Sequence, residues 1–362
     1  MWEIFRRVTS LLTSARQTQS ASGSSLAIQA TGDVHYGLTV SEVRVVALDV
    51  FKANFFDLQG AAKATASQRG AEITDRFLDR LQVTNPAGLE RARDPDFQYA
   101  LFNMQREYAT SGDKDLGALL VNILAEHTSA APRTVMHIVL TEALTVAPKL
   151  TPGQIATLSM IFLLGVKIES GLDSYPAFAG YIDTYLRPLI DDFETSRSTL
   201  QHLQYAGCGT LLNPGYSHSL ETVFLINYPG LFSRGLTPDE MVDLQLTEIE
   251  RRTLFREFHR DANLHQFSAT TQAEFDELLK SSGVAEERRV MMINQANTSY
   301  MSREDIRREV EALAPFTERV FAAWSAGKFG NFQLTTVGIA IANANIERIV
   351  GRDFADLKKW VN

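Results

Sequence analysis

The sequence has a single cysteine, Cys208, among 362 residues. That excludes an internal disulfide framework and fits a reducing compartment. An excess of positive charge is missing too: 35 Lys and Arg stand against 43 Asp and Glu, a net charge of −8. Phosphate backbones demand a basic field, so no nucleic-acid partner is expected. Long apolar runs are absent. The longest, 155–166, is interrupted by Thr157 and Ser159 and closed by Lys167; it is too short to span a bilayer and reads as a buried core helix. The first sixteen residues have neither a continuous apolar stretch nor a small-residue cleavage site, so secretion is not expected and we place the chain in the cytoplasm. Nowhere is there a P-loop, GxGxxG, HExxH or GxSxG pattern, and no cofactor or metal is expected.

What is present is a chain of ordinary globular make-up, 45% hydrophobic and 22% charged, long enough for two domains and a large core. One stretch departs from the rest. In Ser24–Gly37, SSLAIQATGDVHYG, the residues Leu26, Ile28, Ala30, Val34 and Tyr36 alternate with Ser25, Gln29, Thr31, Asp33 and His35. Period two reads as a half-buried strand, or as a hairpin folded at Thr31-Gly32-Asp33. Such a segment leaves backbone groups unpaired unless it finds a partner. A second copy of the chain is the expected source, which makes Leu26, Ile28, Gln29, Val34 and Tyr36 candidate oligomerisation residues and the protein a homo-oligomer.

Nearly everything after Gly37 reads as helix. Before the strand signal, residues 2–15 carry Trp2, Phe5, Val8, Leu11 and Leu12 on one face and Arg6 and Arg7 on another. Docking on the protein's own body or on a neighbouring subunit is the preferred reading of that helix, with peripheral membrane contact as the alternative. A polar linker, 17–25, follows. Thr39 to Glu42 forms a capping box, and the helix it opens bends at Gly60 and Gly70 and stops at Asn85-Pro86. Asp94-Pro95 starts another, and three amphipathic helices in succession, joined by short turns, make a bundle. Thr151-Pro152 and Thr237-Pro238 cap further helices. Residues 206–237 are the least regular part of the body; within them 222–228 is strand or helix. From Met241 to Arg308 the chain is expected to be helical, Pro315 marks a kink, and 334–350 reads as a tightly packed helix with strand as the alternative. The fold expected is mainly α, a multi-helix bundle with a short N-terminal β segment: 1–37 for oligomerisation, 38–150 a helical bundle, 151–362 a second helical region.

Candidate chemistry is sparse. Asp94/Asp96 and Asp113/Asp115 would suit a hard cation, but each pair also sits where a helix cap belongs, and capping explains them. His202, Cys208 and His218 lack the paired spacing of a zinc site. A Cys–His nucleophile at Gly207-Cys208-Gly209 stands against the plainer reading of a small residue in a tight place. His259-Arg260-Asp261 has the letters of a kinase catalytic loop without the Asn, glycine-rich loop or strand lysine that should accompany it. Arg251, Arg252, Arg256, Arg260, Arg288, Arg289, Arg303, Arg307 and Arg308 interleave with glutamates, the pattern of a solvated, ion-paired face.

The order of the stretches LAIQATGDVHYGLTVSEV, ALDVFKANFFDL, DPDFQYALFNMQREYATSGDKDLGALLVNILAE, APKLT and LTTVGIAIANANIERIVG resembles an uncharacterised bacterial protein family across Leu26 to Gly351. The resemblance brings no activity, cofactor or catalytic residue. The closing Leu-Thr-x-x-Gly, Leu334–Gly338, is similar to helical proteins of the abortive-infection type, which implies by analogy a role in defence against phage. The function expected is a non-enzymatic, self-associating cytoplasmic protein with a protein partner. The alternatives are an enzyme or toxin with a site around 206–237 and a membrane-surface effector acting through residues 2–15.

Overall fold

Thr151 starts the helix around which the body is built. Its hydroxyl accepts the Gln154 N–H while the Gln154 side chain accepts the Thr151 N–H, and Pro152 occupies the first turn, where its missing N–H costs nothing. The helix, α6 (Pro152–Gly165), is buried on every side from Gly153 to Leu164, as a helix without a polar face must be. It packs against α16 (Thr336–Val350), whose residues 338–346 are all buried. One polar match spans the pair: Asn345 Nδ2 donates to Ser159 Oγ at 2.9 Å, and Ser159 Oγ in turn donates to the Ile155 carbonyl of its own helix at 3.0 Å. A buried amide or hydroxyl left unpaired would cost about 1–3 kcal/mol, so this matching helps fix how the two helices seat.

In the structure, a computed structural model, the described residues are 38–54, 60–212, 218–327, 329–351 and 354–361. The segment 24–37, with Leu26, Ile28, Gln29, Val34 and Tyr36, and the helix expected over 2–15 lie outside them. Among the described residues the fold is mainly α, and the strands fall in the middle and late chain rather than near the N-terminus.

The first helices are α1 (Val40–Asn54) and α2 (Gly60–Thr84). Gly60 stands at the start of α2 with φ +56°, and Gly70 leaves that helix unbroken. It lies inside α2 where a Cβ would meet the Phe51 ring at 2.5–2.7 Å, so glycine there lets α1 cross α2 closely. After Asn85-Pro86 and a 3-10 stretch come α3 (Pro95–Ser111), α4 (Lys114–Ser129) and α5 (Val135–Val146). Asp94 caps α3 by accepting the Asp96 N–H, Gly112 closes it at φ +67°, and Asp113 caps α4 through the N–H groups of Asp115 and Leu116. α16 packs against α4 and α5 as well as α6.

Beyond α6 run α7 (Tyr175–Tyr185), α8 (Arg197–Tyr205), β1 (Gly209–Leu211) and α9 (Leu220–Asn227), the last settling the ambiguous 222–228 run as helix. Next come α10 (Pro238–Asp243), α11 (Glu248–Leu254), β2 (Phe255–Phe258) and β3 (Asp261–Phe267). The expected all-helical 241–308 is therefore interrupted by an antiparallel hairpin, with Phe255 opposite Phe267 and their rings 4.4 Å apart. The hairpin displaces helix because one end of it feeds a small core of its own, with Leu254, Phe275, Leu279 and Met292. The chain continues through α12 (Gln272–Ser281), α13 (Glu286–Thr298), α14 (Arg303–Leu313) and α15 (Thr317–Gly327). Pro315 separates α14 from α15 outright instead of kinking one helix, since it can neither donate at its own N nor sit beside the carbonyl four residues back. β4 (Phe332–Leu334) then pairs antiparallel with β1, Leu334 opposite Gly209, and delivers the chain into α16. The 334–350 run is thus the tail of a strand followed by the buried helix.

Candidate functional site

Three helix ends bring together the one group of His and carboxylate side chains, among the described residues, whose donor atoms all lie within 4.8 Å of one another: Asp96, His127 and His137. Asp96 stands in the first turn of α3, His127 in the last turn of α4 and His137 in the first turn of α5. The short connection from Ala130 to Thr134 turns the chain back, so both imidazoles face the start of α3. Thr134 caps α5 by accepting the His137 N–H. Arg91 Nη1 donates to the Ala130 carbonyl at 3.2 Å and Arg91 pairs with Asp94 at 3.3 Å, which ties that connection to the cap of α3.

Within the cluster His137 Nε2 lies 2.7 Å from Asp96 Oδ2, and His127 Nε2 lies 3.9 Å from the same oxygen. The two imidazole rings are 4.4 Å apart and tilted by 39°. The Thr141 hydroxyl donates to the His137 carbonyl at 2.9 Å, so its oxygen accepts from His127 Nε2–H at 3.2 Å. His127 Nδ1 is buried without a partner. Exposure is graded: the His127 side chain is 0% exposed, that of His137 9% and that of Asp96 46%. Burial, reinforced by the neighbouring His137, pushes the His127 imidazole down to about 4. At neutral pH it is an uncharged ring with a nitrogen lone pair. A carboxylate and two imidazoles arranged in this way can share a proton between Asp96 and His137, or can hold a metal ion.

Sequence spacing concealed this group. Asp96 belonged to a pair explained by capping, and Asp94 and Asp113 do cap their helices. The second carboxylate of each pair is used elsewhere: Asp96 meets His137, and Asp115 pairs with Arg348 of α16 at 2.9 Å. His127 and His137 went unremarked because they sit on different helices, ten residues apart. The available signal was a histidine closing one helix and another opening the next.

His202, Cys208 and His218 each have separate surroundings. His202 Nδ1 lies 3.1 Å from Gln154 Oε1 at the start of α6, and the His218 carbonyl accepts from Trp324 Nε1 at 3.0 Å. The Cys208 side chain is fully buried, and burial pushes its thiol up to about 12. Its carbonyl accepts the Thr335 N–H at 3.0 Å, and the Thr335 hydroxyl donates to the Gly207 carbonyl at 2.6 Å. Gly338 lies so close beneath Cys208 that a Cβ would stand 3.0 Å from its carbonyl carbon. Cys208 is a small residue in a tight place. The Leu-Thr-x-x-Gly segment likewise has folding reasons: Leu334 ends β4, Thr335 caps α16, and Gly338 admits the Cys208 backbone.

His259-Arg260-Asp261 forms the turn of the β2–β3 hairpin. His259 Nε2 lies 3.1 Å from the Leu231 carbonyl and Arg260 reaches Glu309 at 2.9 Å while lying over the Tyr175 ring. Several of the interleaved arginines are ion-paired: Arg252 with Glu248, Arg288 with Glu250, Arg307 with Glu311, and Arg308 with an aspartate, Asp305.

Among the described residues, fold and side-chain chemistry together define a mainly helical body with two small β ribbons and a histidine–carboxylate junction where three helix ends meet. Residues 37–361 match the model of a protein family, and the chain belongs to that uncharacterised family, whose description carries no link to phage defence. No curated protein and no solved structure matches the chain. Among the described residues no helix is long and apolar enough to cross a membrane.

Proposed function

We propose that this is a non-enzymatic cytoplasmic protein that self-associates through residues 24–37 and offers its helical body to a protein partner. The observation that carries the reading is the alternation of Leu26, Ile28, Ala30, Val34 and Tyr36 with polar residues, in a segment immediately ahead of α1. Strands with one apolar face are stable only when their edges and that face are covered. The body adds two supports. Val242, Ile249, Val290, Met291 and Ile293 are large apolar side chains left exposed on α10, α11 and α13, the kind of surface residue that partners cover. The Arg-rich helices of the same region pair their charges internally, which suits protein contact better than phosphate.

Light scattering tests this on the full chain, on the full chain carrying Ile28→Lys and Val34→Lys, and on the chain begun at Leu38. The full chain is expected to be oligomeric at micromolar concentration and the other two monomeric. The same number of protomers in all three, whether one or several, would overturn the proposal. Its setting in phage defence rests on likeness alone, and is tested by the plating efficiency of phage on bacteria with and without the protein; equal plaque counts across a phage panel refute it.

A further inference from the structure

We propose that Asp96, His127 and His137 bind one first-row divalent transition ion, with Zn²⁺ as the reference case, and that the ion joins the ends of α3, α4 and α5. The argument begins with spacing. Tetrahedral zinc holds nitrogen and oxygen donors at about 2.0–2.1 Å, which places neighbouring donors about 3.3 Å apart. Here Asp96 Oδ2 lies 2.7 Å from one imidazole Nε2 and 3.9 Å from the other, and no donor pair exceeds 4.8 Å. The two observed separations bracket the required one, and Asp96, the exposed member, is the side chain whose rotation would open the His137 contact.

Donor type narrows the ion. Two imidazoles and a carboxylate, with no thiolate, suit Zn²⁺, Fe²⁺, Co²⁺ or Ni²⁺ better than Cu⁺. Ca²⁺ and Mg²⁺, which take oxygen ligands, are disfavoured. Formal charge favours a cation, since Asp94 and Asp96 outnumber the Arg91 beside them. The helix dipoles divide: the carbonyl end of α4 at His127 attracts a cation, and the N–H ends of α3 and α5 at Asp96 and His137 oppose it. Three protein ligands leave the fourth position of a tetrahedral ion to a solvent ligand, and Asp96 is the solvent-exposed member of the group.

The surroundings also set the strength. A ligating histidine usually donates its other ring N–H to a second partner, and loss of that partner costs 10–100-fold in affinity. Ligation through His127 Nε2 would release the bond to Thr141 and move the ring proton to Nδ1, which has no partner. A dissociation constant on the order of micromolar is therefore expected, weaker than a closed structural zinc site.

The test is titration of the full chain with Zn²⁺ by calorimetry and with Co²⁺ by visible absorbance, each after dialysis against chelator. One ion per chain should bind, with visible Co²⁺ bands that Zn²⁺ abolishes. His137→Ala and His127→Ala should each weaken binding at least tenfold. Asp96→Asn, a change at the exposed ligand that leaves the buried rings in place, should do the same while circular dichroism stays that of the parent. His202→Ala, outside the cluster, should bind as the parent does. No saturable binding up to 100 times the expected constant, or binding that Asp96→Asn and His137→Ala leave unchanged in folded protein, overturns the proposal. In that case the group is only an Asp–His tie between α3 and α5.

Discussion

Replacing Gly338 with alanine probes the tightest joint in the body. A Cβ at this position would stand 3.0 Å from the Cys208 carbonyl carbon, 3.3 Å from its Cα and closer still to its oxygen. These are backbone atoms that cannot rotate aside. Relief requires α16 and the 207–211 segment to separate by about 1 Å, and overpacking of that kind costs roughly 1–3 kcal/mol. The same displacement loosens the Thr335 N–H bond to the Cys208 carbonyl and the Thr335 hydroxyl bond to Gly207, about 1 kcal/mol each if lost. Alanine recovers at most about 1 kcal/mol through its better helix propensity. Gly338→Ala should thus destabilise the protein by about 3 kcal/mol, a fall of about 1 M in the urea midpoint for a slope near 3 kcal/mol/M. Trp324 and Trp360 line the cavity beside this joint together with Leu334 and Ile339, so their fluorescence is a suitable reporter. Gly180→Ala is the control. That glycine is exposed inside α7 with nothing within 4 Å of a Cβ, and the change should stabilise by about 0.5–1 kcal/mol. A Gly338→Ala midpoint at or above that of the parent, or an equal loss in Gly180→Ala, would refute the reasoning.

Two further outcomes follow from the electrostatics. Glu240 closes the capping box of α10 and pairs with Arg234 at 2.5 Å, and the Arg234 guanidinium, ahead of the cap itself, holds its carboxyl down to about 2. A carboxylate with a depressed value stabilises the fold above its ordinary range and loses that contribution as pH falls toward the depressed one. Glu240→Gln keeps the cap but not the charge; it should be less stable than the parent by about 1 kcal/mol at pH 7, with the gap in urea midpoint narrowing from pH 5 toward pH 3. A gap that ignores pH counts against the pair. Cys208, fully buried with its thiol pushed up to about 12, should resist iodoacetamide in the folded protein at pH 8 and react fully in denaturant. Stoichiometric labelling of folded protein within minutes would reopen the case for a nucleophile.

Local rules were readable wherever one residue type has one job. Asp94-Pro95, Asp113, Thr151-Pro152 and Thr237-Pro238 all begin helices in the structure as their side chains require. The all-round apolar α6 was legible as buried for the same reason. What escaped depends on partners distant in sequence. Phe255-Arg-Glu-Phe258 is too short to declare a period, and its flanking Arg and Glu residues favour helix; it becomes a strand because Phe267 and Phe275 cover it. The role of Gly70 in admitting the Phe51 ring likewise depends on a residue of another helix. The cluster at Asp96, His127 and His137 was the least legible feature, since three residues on three helices share no register, and only packing of α3, α4 and α5 brings their side chains within reach.

The seat of α16 between α4, α5 and α6 also says when this protein can fold. Asn122 Nδ2 donates to the Ala344 carbonyl at 3.2 Å and Asn345 to Ser159 at 2.9 Å, so the earlier helices meet their central partner only after it has been made. About 170 residues separate α6 from α16, roughly 10–30 s of synthesis at ordinary rates. Throughout that interval a helix apolar on all its faces has no finished core to enter. Apolar surface exposed for that long invites aggregation, so yield on expression should rise when chaperones are co-expressed.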